Sequence, residues 1–66
     1  MNKPLTDLSV KLLGEDGNAF FIMGKVVKAL RMAGYDADFI EEYKKKAMGG
    51  DYDNLLRVTM EYVEVI

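Results

Sequence analysis

Residues 18–34 have the sequence NAFFIMGKVVKALRMAG, and this segment organises the rest of the chain. Asn18 belongs to the residue types that accept hydrogen bonds from the first amides of a helix, and Gly34 tolerates the left-handed conformation that often follows a helix end. The segment therefore predicts a helix from Ala19 to Ala33. Its apolar side chains fill about half of the circumference at about 100° per residue, which is typical of a central core helix. These side chains are Ala19, Phe20, Ile22, Met23, Val26, Val27, Ala29, Leu30 and Ala33.

The other half of this helix carries the candidate interaction site. Cations recur there beside an aromatic ring and a thioether, a mixture that favours contacts with macromolecules. Three interpretations stay open. In the first, the sheet or another helix covers Phe21 and the lysine side chains extend along it to solvent. In the other two, the face binds a protein or a nucleic acid. The residues are Phe21, Lys25, Lys28, Arg31 and Met32.

A second predicted helix follows at once. Asp36 is a good capping residue, and Tyr35 is placed to pack on Ile40 across the first turn as a hydrophobic staple. The helix is expected to run to about Met48. A narrow apolar stripe predicts that it lies at the surface. The stripe consists of Phe39, Ile40, Tyr43 and Ala47.

Asp51 predicts the start of a third helix. Its end is ambiguous, because helical spacing continues to Ile66, whereas residues 62–66 are rich in β-branched and aromatic side chains that favour a strand. We interpret 62–66 as a strand. One face of the helix is expected to be buried, and it carries Tyr52, Leu55, Leu56, Thr59, Met60 and Val63.

A first strand is predicted near the start of the chain. Apolar and polar residues alternate from Leu8 to Leu12, which places Leu8, Val10 and Leu12 on one face. Because a lone strand is not stable, we pair it with residues 62–66. The prediction is an α+β fold, a three-helix core with short N- and C-terminal strands paired in a small sheet, in the order β-α-α-α-β. The relative direction of the two strands is left open.

The whole chain is expected to form one small globular domain, residues 1–66, with residues 1–6 disordered. A chain of this length buries only about 60% of the surface that it exposes when unfolded, and this one has no cysteine to form a disulfide. We therefore expect a homodimer, in which a partner subunit adds to the buried surface.

The residue inventory argues against an enzyme. The chain has no His and no Cys, so it lacks an imidazole base, a thiolate nucleophile and a zinc site of these residues. Ser9 is the only serine, and no His can activate it. The pairs Asp36/Asp38 and Asp51/Asp53 lack the Gly and Glu of a calcium loop, so we interpret them as helix caps. We expect no catalytic residue, no metal and no cofactor.

Nucleic-acid binding is the first alternative. A net charge of −2 and the absence of a basic tail argue against general phosphate binding. The segment GEDGN at 14–18 precedes a helix, but Glu15 and Asp16 stand where a phosphate would approach, so we interpret it as a turn. A nucleic-acid binder would use the first helix and the lysine run of the second. Its residues are Lys25, Lys28, Arg31, Lys44, Lys45 and Lys46.

The sequence also predicts a cytoplasmic location without membrane contact. The longest apolar run, residues 19–23, is too short to span a bilayer, and the first residues do not match a secretory signal. The favoured hypothesis is a non-enzymatic interaction protein, a homodimer that binds another macromolecule whose identity the sequence does not indicate. A protein that holds a ligand in a pocket at the subunit junction is the second alternative.

Four segments resemble a family of very small uncharacterised proteins of bacteria and their phages. They are GNAF at 17–20, ALRMAG at 29–34, GDYDNLL at 50–56 and EYVEV at 61–65. The resemblance implies an intracellular setting and is compatible with an inhibitor or regulator of a bacterial protein. It implies no activity.

Overall fold

The computed structural model describes residues 4–12 and 17–66, which form three helices and a two-stranded sheet. The predicted α+β fold with the order β-α-α-α-β is confirmed. The elements are β1 (Ser9–Val10), α1 (Ala19–Met32), α2 (Ala37–Ala47), α3 (Tyr52–Tyr62) and β2 (Glu64–Val65).

α1 begins at Ala19, as predicted, and ends at Met32, one residue before the predicted end. The Asn18 side chain accepts hydrogen bonds from the amides of Phe20 and Phe21. At the other end Gly34 adopts φ +93°, and its N–H bonds the carbonyl of Arg31 while the N–H after it bonds the carbonyl of Leu30. This is the Schellman pattern, which satisfies carbonyls of the last turn and ends the helix.

The buried stripe of α1 is narrower than predicted. Ile22, Val26 and Leu30 are buried, whereas Phe20 is 75% exposed and Ala33 is also exposed. Phe20 lies about 120° around the helix axis from the fully buried Val26, and Ala33 lies beyond the last residue of α1. The expectation that Phe20 and Ala33 belong to the core was therefore wrong.

α2 begins after its predicted cap, since the Asp36 carboxylate accepts a hydrogen bond from the Phe39 amide. The buried residues are Ile40, Tyr43 and Ala47, as the stripe predicts. The Tyr35 ring stacks on the Phe39 ring at 4.7 Å between centroids, so the first turn is closed by a contact with Phe39 in addition to the cap.

α3 begins after Asp51, whose carboxylate accepts a hydrogen bond from the Asn54 amide. Its buried face is rotated from the predicted one. Met60 is 55% exposed and Tyr52 is 45% exposed, contrary to expectation, because other side chains of the helix enter the core. The buried side chains are Leu55, Val58, Thr59 and Tyr62.

The two strands are parallel, which decides the direction that the sequence left open. Ser9 pairs with Glu64 and Val10 with Val65. Val10 is buried while Ser9 is exposed, as the predicted alternation requires. In the segment before β1, residues 5 and 6 donate backbone hydrogen bonds to the last turn of α3. Residues 1–3 lie outside the described part of the chain.

Candidate interaction surfaces

The predicted site residues share one side of α1, and we call this surface the basic face. It consists of Phe21, Lys25, Lys28, Arg31 and Met32. Met32 is 78% exposed and Phe21 is 38% exposed. The helix contains these three cations and no acidic residue. Among the described residues, no carboxylate forms an ion pair with Lys28 or Arg31.

The strand β1 borders the basic face and partly covers it. The Lys25 ammonium donates a 2.7 Å hydrogen bond to the carbonyl of Lys11 and lies 5.7 Å from the centroid of the Phe21 ring. A shallow depression of about 240 Å³ follows this border. The contacts of Lys25 are thus with the segment after β1 and with the Phe21 ring, whereas Met32 at the other end of the face is exposed.

The lysine run of α2 is engaged differently. Lys46 lies 3.2 Å from a Glu42 carboxylate oxygen, and Lys44 lies 3.5 Å from one of Glu41. The hydrogen bond to Glu42 is the main cause that raises the pKa of Lys46. Two of the three lysines that the nucleic-acid hypothesis uses on this helix thus face carboxylates of their own helix, which reduces their attraction for phosphate.

A second surface, which sequence reasoning missed, is a cleft where the start of α1, the end of α2 and the start of α3 meet. We call it the apolar cleft. Its volume is about 260 Å³. Phe20 (75% exposed), Met48 (61%) and Tyr52 (45%) surround its opening. The remaining lining residues are Ala19, Met23, Ala47, Gly50, Asp51 and Leu55.

The apolar cleft is held in shape by polar contacts at its edge. The Tyr52 hydroxyl donates a 2.5 Å hydrogen bond to the carbonyl of Gly17, which ties α3 to the segment before α1. Among the described residues that line the cleft, Asp51 alone is charged, and its carboxylate caps α3. The described lining is therefore suited to receive an apolar side chain.

Buried hydroxyl groups serve the packing of the helices. The Tyr43 hydroxyl and Thr59 Oγ1 lie 2.7 Å apart in a hydrogen bond, and burial raises the pKa of Tyr43. Burial also raises the pKa of Tyr62, although the neighbouring Lys46 opposes the effect. In the described part of the chain, every buried side-chain nitrogen or oxygen has a hydrogen-bond partner.

In each of the two acidic pairs, the first Asp caps a helix. Asp36 and Asp51 accept amide hydrogen bonds at the starts of α2 and α3. Within residues 4–12 and 17–66, no group of three acidic side chains is placed to hold a metal ion. The predicted turn at 14–18 falls largely outside the described residues.

Comparison of the chain with protein-family models, with curated proteins and with solved structures finds no match. None of the helices that the structure describes has both the length and the apolar character required to cross a membrane.

Proposed function

We propose that this protein is a non-enzymatic interaction protein, a homodimer that binds a second protein through the basic face. The observation that carries the proposal is the exposure of Met32, 78% of which is open to solvent on a helix whose other outward residues include Lys28 and Arg31. Met and Arg are enriched in protein interfaces, and an exposed thioether among cations provides an apolar contact with charged flanks.

The charge distribution favours an acidic partner surface. The whole chain has a net charge of −2, yet α1 carries three cations and no acidic residue, and Lys11 of the neighbouring segment adds a fourth. Such an asymmetry attracts a partner with negative charge around an apolar site and accelerates its association. Because Lys44 and Lys46 already face carboxylates, the described cations favour a protein over a nucleic acid.

The engagement of the described polar groups in structural hydrogen bonds supports a non-enzymatic role. The apolar cleft contains one carboxylate, engaged as a cap, and the hydroxyls of Thr6 and Thr59 are buried in hydrogen bonds with Tyr62 and Tyr43. The resemblance to small bacterial and phage proteins supports a bacterial partner in the cytoplasm, whose activity this protein would inhibit or regulate by covering its surface.

The test is a capture experiment with charge-reversal variants. Immobilised wild-type protein is compared with Lys28→Glu/Arg31→Glu and, as a control with the same change in charge, Lys44→Glu/Lys45→Glu, in a bacterial lysate analysed by quantitative mass spectrometry. A protein retained by the wild type and the control but lost by the α1 variant supports the proposal. Equal capture by all three proteins contradicts it.

Fluorescence anisotropy with a labelled DNA duplex and a labelled RNA at about 50 mM salt distinguishes the alternative, because phosphate contacts strengthen as salt falls. The proposal predicts no change in anisotropy for either probe. Tight binding that requires Lys28 and Arg31 would replace the protein partner with a nucleic acid.

A further inference from the structure

We propose that a second copy of this chain occupies the apolar cleft, with Phe20 of each copy inserted into the cleft of the other around a two-fold axis. The inference rests on the homodimer of the proposed function and names its surface. It leaves the basic faces of both subunits available to a partner.

A two-fold interface must be self-complementary, because the same residues meet from both sides. The apolar cleft has this property, since a protruding ring and a cavity lie next to each other. Phe20 is 75% exposed at the opening of a cavity of about 260 Å³. An apolar cavity of about 150 Å³ already holds a benzene ring, so the cleft has room for the phenyl group of a second copy.

The opening of the cleft is suited to bury further apolar surface around the inserted ring. Taking about 200 Å² for an aromatic side chain, Phe20 contributes roughly 150 Å² and Tyr52 roughly 90 Å² from their exposed fractions. Met48 adds a flexible side chain that adapts to the ring it meets. A standard interface takes about 800 Å² from each partner, so this smaller contact predicts a weak, transient dimer.

Charge separates this surface from the basic face. A two-fold contact through the basic face would bring Lys28 and Arg31 of one copy against the same cations of the other, which is unfavourable. Among the described residues that line the apolar cleft, only Asp51 is charged, and its carboxylate is already hydrogen-bonded to the Asn54 amide. The cleft is therefore the surface that tolerates a second copy.

The decisive experiment compares two neighbouring substitutions, Phe20→Glu and Phe21→Glu, by sedimentation equilibrium over a range from micromolar to millimolar protein. Both place a carboxylate in the first turn of α1, where the helix dipole favours it, so both variants are expected to fold. Of these two phenylalanines, only Phe20 lines the apolar cleft. We expect Phe20→Glu to raise the dimer Kd about 30-fold or more, the range of interface hot spots, and Phe21→Glu to leave it within about twofold.

A second measurement uses the unmodified chain. In a dilution series followed by amide chemical shifts, residues around Phe20, Met48 and Tyr52 are expected to change with concentration, whereas Lys28 and Arg31 stay constant. A chain that remains monomeric at millimolar concentration overturns the inference, as do shifts confined to the basic face or a dimer broken by Phe21→Glu.

These outcomes are separable from the fate of the proposed partner. A monomer that still captures its partner through Lys28 and Arg31 removes the dimer and leaves the interaction protein. A Phe20-dependent dimer whose capture is unaffected by Lys28→Glu/Arg31→Glu retains this inference and removes the proposed use of the basic face.

Discussion

Thr6 joins the start of the chain to the end of α3, because its hydroxyl donates a 2.6 Å hydrogen bond to the carbonyl of Tyr62. The backbone N–H of Thr6 donates to the same oxygen at 3.1 Å, and the N–H of Leu5 donates to the carbonyl of Glu61. The last carbonyls of a helix have no partner within the helix. Here the N-terminal segment supplies the donors, and the parallel pairing of β1 with β2 continues from that point.

Thr6→Val is expected to destabilise the protein by about 1–2 kcal/mol, because it removes the hydroxyl and keeps the shape of the side chain. The same hydroxyl accepts a 3.2 Å hydrogen bond from the Leu8 amide. The substitution removes this acceptor as well. The free energy of unfolding in urea measures the effect. Thr6→Ser is the control, since it retains the hydroxyl and should lose less. A Thr6→Val variant as stable as the wild type, or more stable than Thr6→Ser, would contradict the role assigned to the hydrogen bonds of the hydroxyl.

The hydrogen bond between Tyr43 and Thr59 predicts a strong coupling between two substitutions. Both side chains are fully buried, and their oxygens lie 2.7 Å apart. Tyr43→Phe or Thr59→Val alone leaves one buried hydroxyl without this partner, at an expected cost of about 1–3 kcal/mol each. The double variant removes both hydroxyls, so its loss should be smaller than the sum of the single losses by at least about 0.5 kcal/mol.

Urea unfolding of all four proteins, the wild type included, closes this thermodynamic cycle. Additive losses would show that the two hydroxyls stabilise α2 and α3 independently. A double variant close to the wild type would show that the pair matters as a unit.

Alkaline pH should destabilise the protein through Tyr43. Burial raises the pKa of this hydroxyl above its ordinary value of 10.0 in the fold, and the hydrogen bond to Thr59 opposes the shift only in part. Above pH 10 the unfolded chain therefore releases a proton that the folded chain retains. Below pH 10, Tyr43 is protonated in both states, so its titration does not change the free energy of unfolding. Above pH 10 the unfolded state binds fewer protons than the folded state, and the free energy of unfolding therefore falls as the pH rises.

Chemical unfolding at pH 8, 9, 10 and 11 measures this decline. Tyr43→Phe should lose stability at pH 8 and decline less steeply than the wild type above pH 10, since it has no proton to release at that position. The raised pKa of Lys46 acts in the same direction in both proteins and cancels in the comparison. Parallel declines in the two proteins would contradict the assignment to Tyr43.

The helix boundaries were predictable because their causes are local. Asn18, Asp36 and Asp51 each accept amide hydrogen bonds within three residues, so the residue type alone indicates the start of a helix. The basic face was predictable for the same reason, since spacing along a single helix places Lys28 and Met32 on one side. These features depend on neighbouring positions in the sequence.

The features that were missed depend on distant parts of the chain. The bond from Thr6 to Tyr62 spans 56 residues, and nothing near either residue indicates it. The apolar cleft is formed by three helices, so no single segment of the sequence predicts it. The adjacent pair Phe20-Phe21 indicates only that one narrow buried stripe cannot hold both rings. The spacing of apolar residues predicted which half of the α1 surface is apolar. It did not predict which part of that half α2 and α3 cover.

Replacing glycine by alanine is expected to have opposite effects on stability at Gly24, inside α1, and at Gly34, in the turn after it. Gly24 lies within the helix, and a Cβ built there meets no atom within 4 Å, so Gly24→Ala should stabilise the protein by about 0.5–1 kcal/mol through the lower entropy of the unfolded chain. Gly34 has φ +93°, a conformation that strains an L-residue, so Gly34→Ala should destabilise it by about 1 kcal/mol or more. Thermal unfolding of both variants measures the two effects. Because the side chain introduced is the same, a change of the melting temperature in the same direction in both variants would contradict the prediction that Gly24 lies in a helix and Gly34 in a left-handed turn.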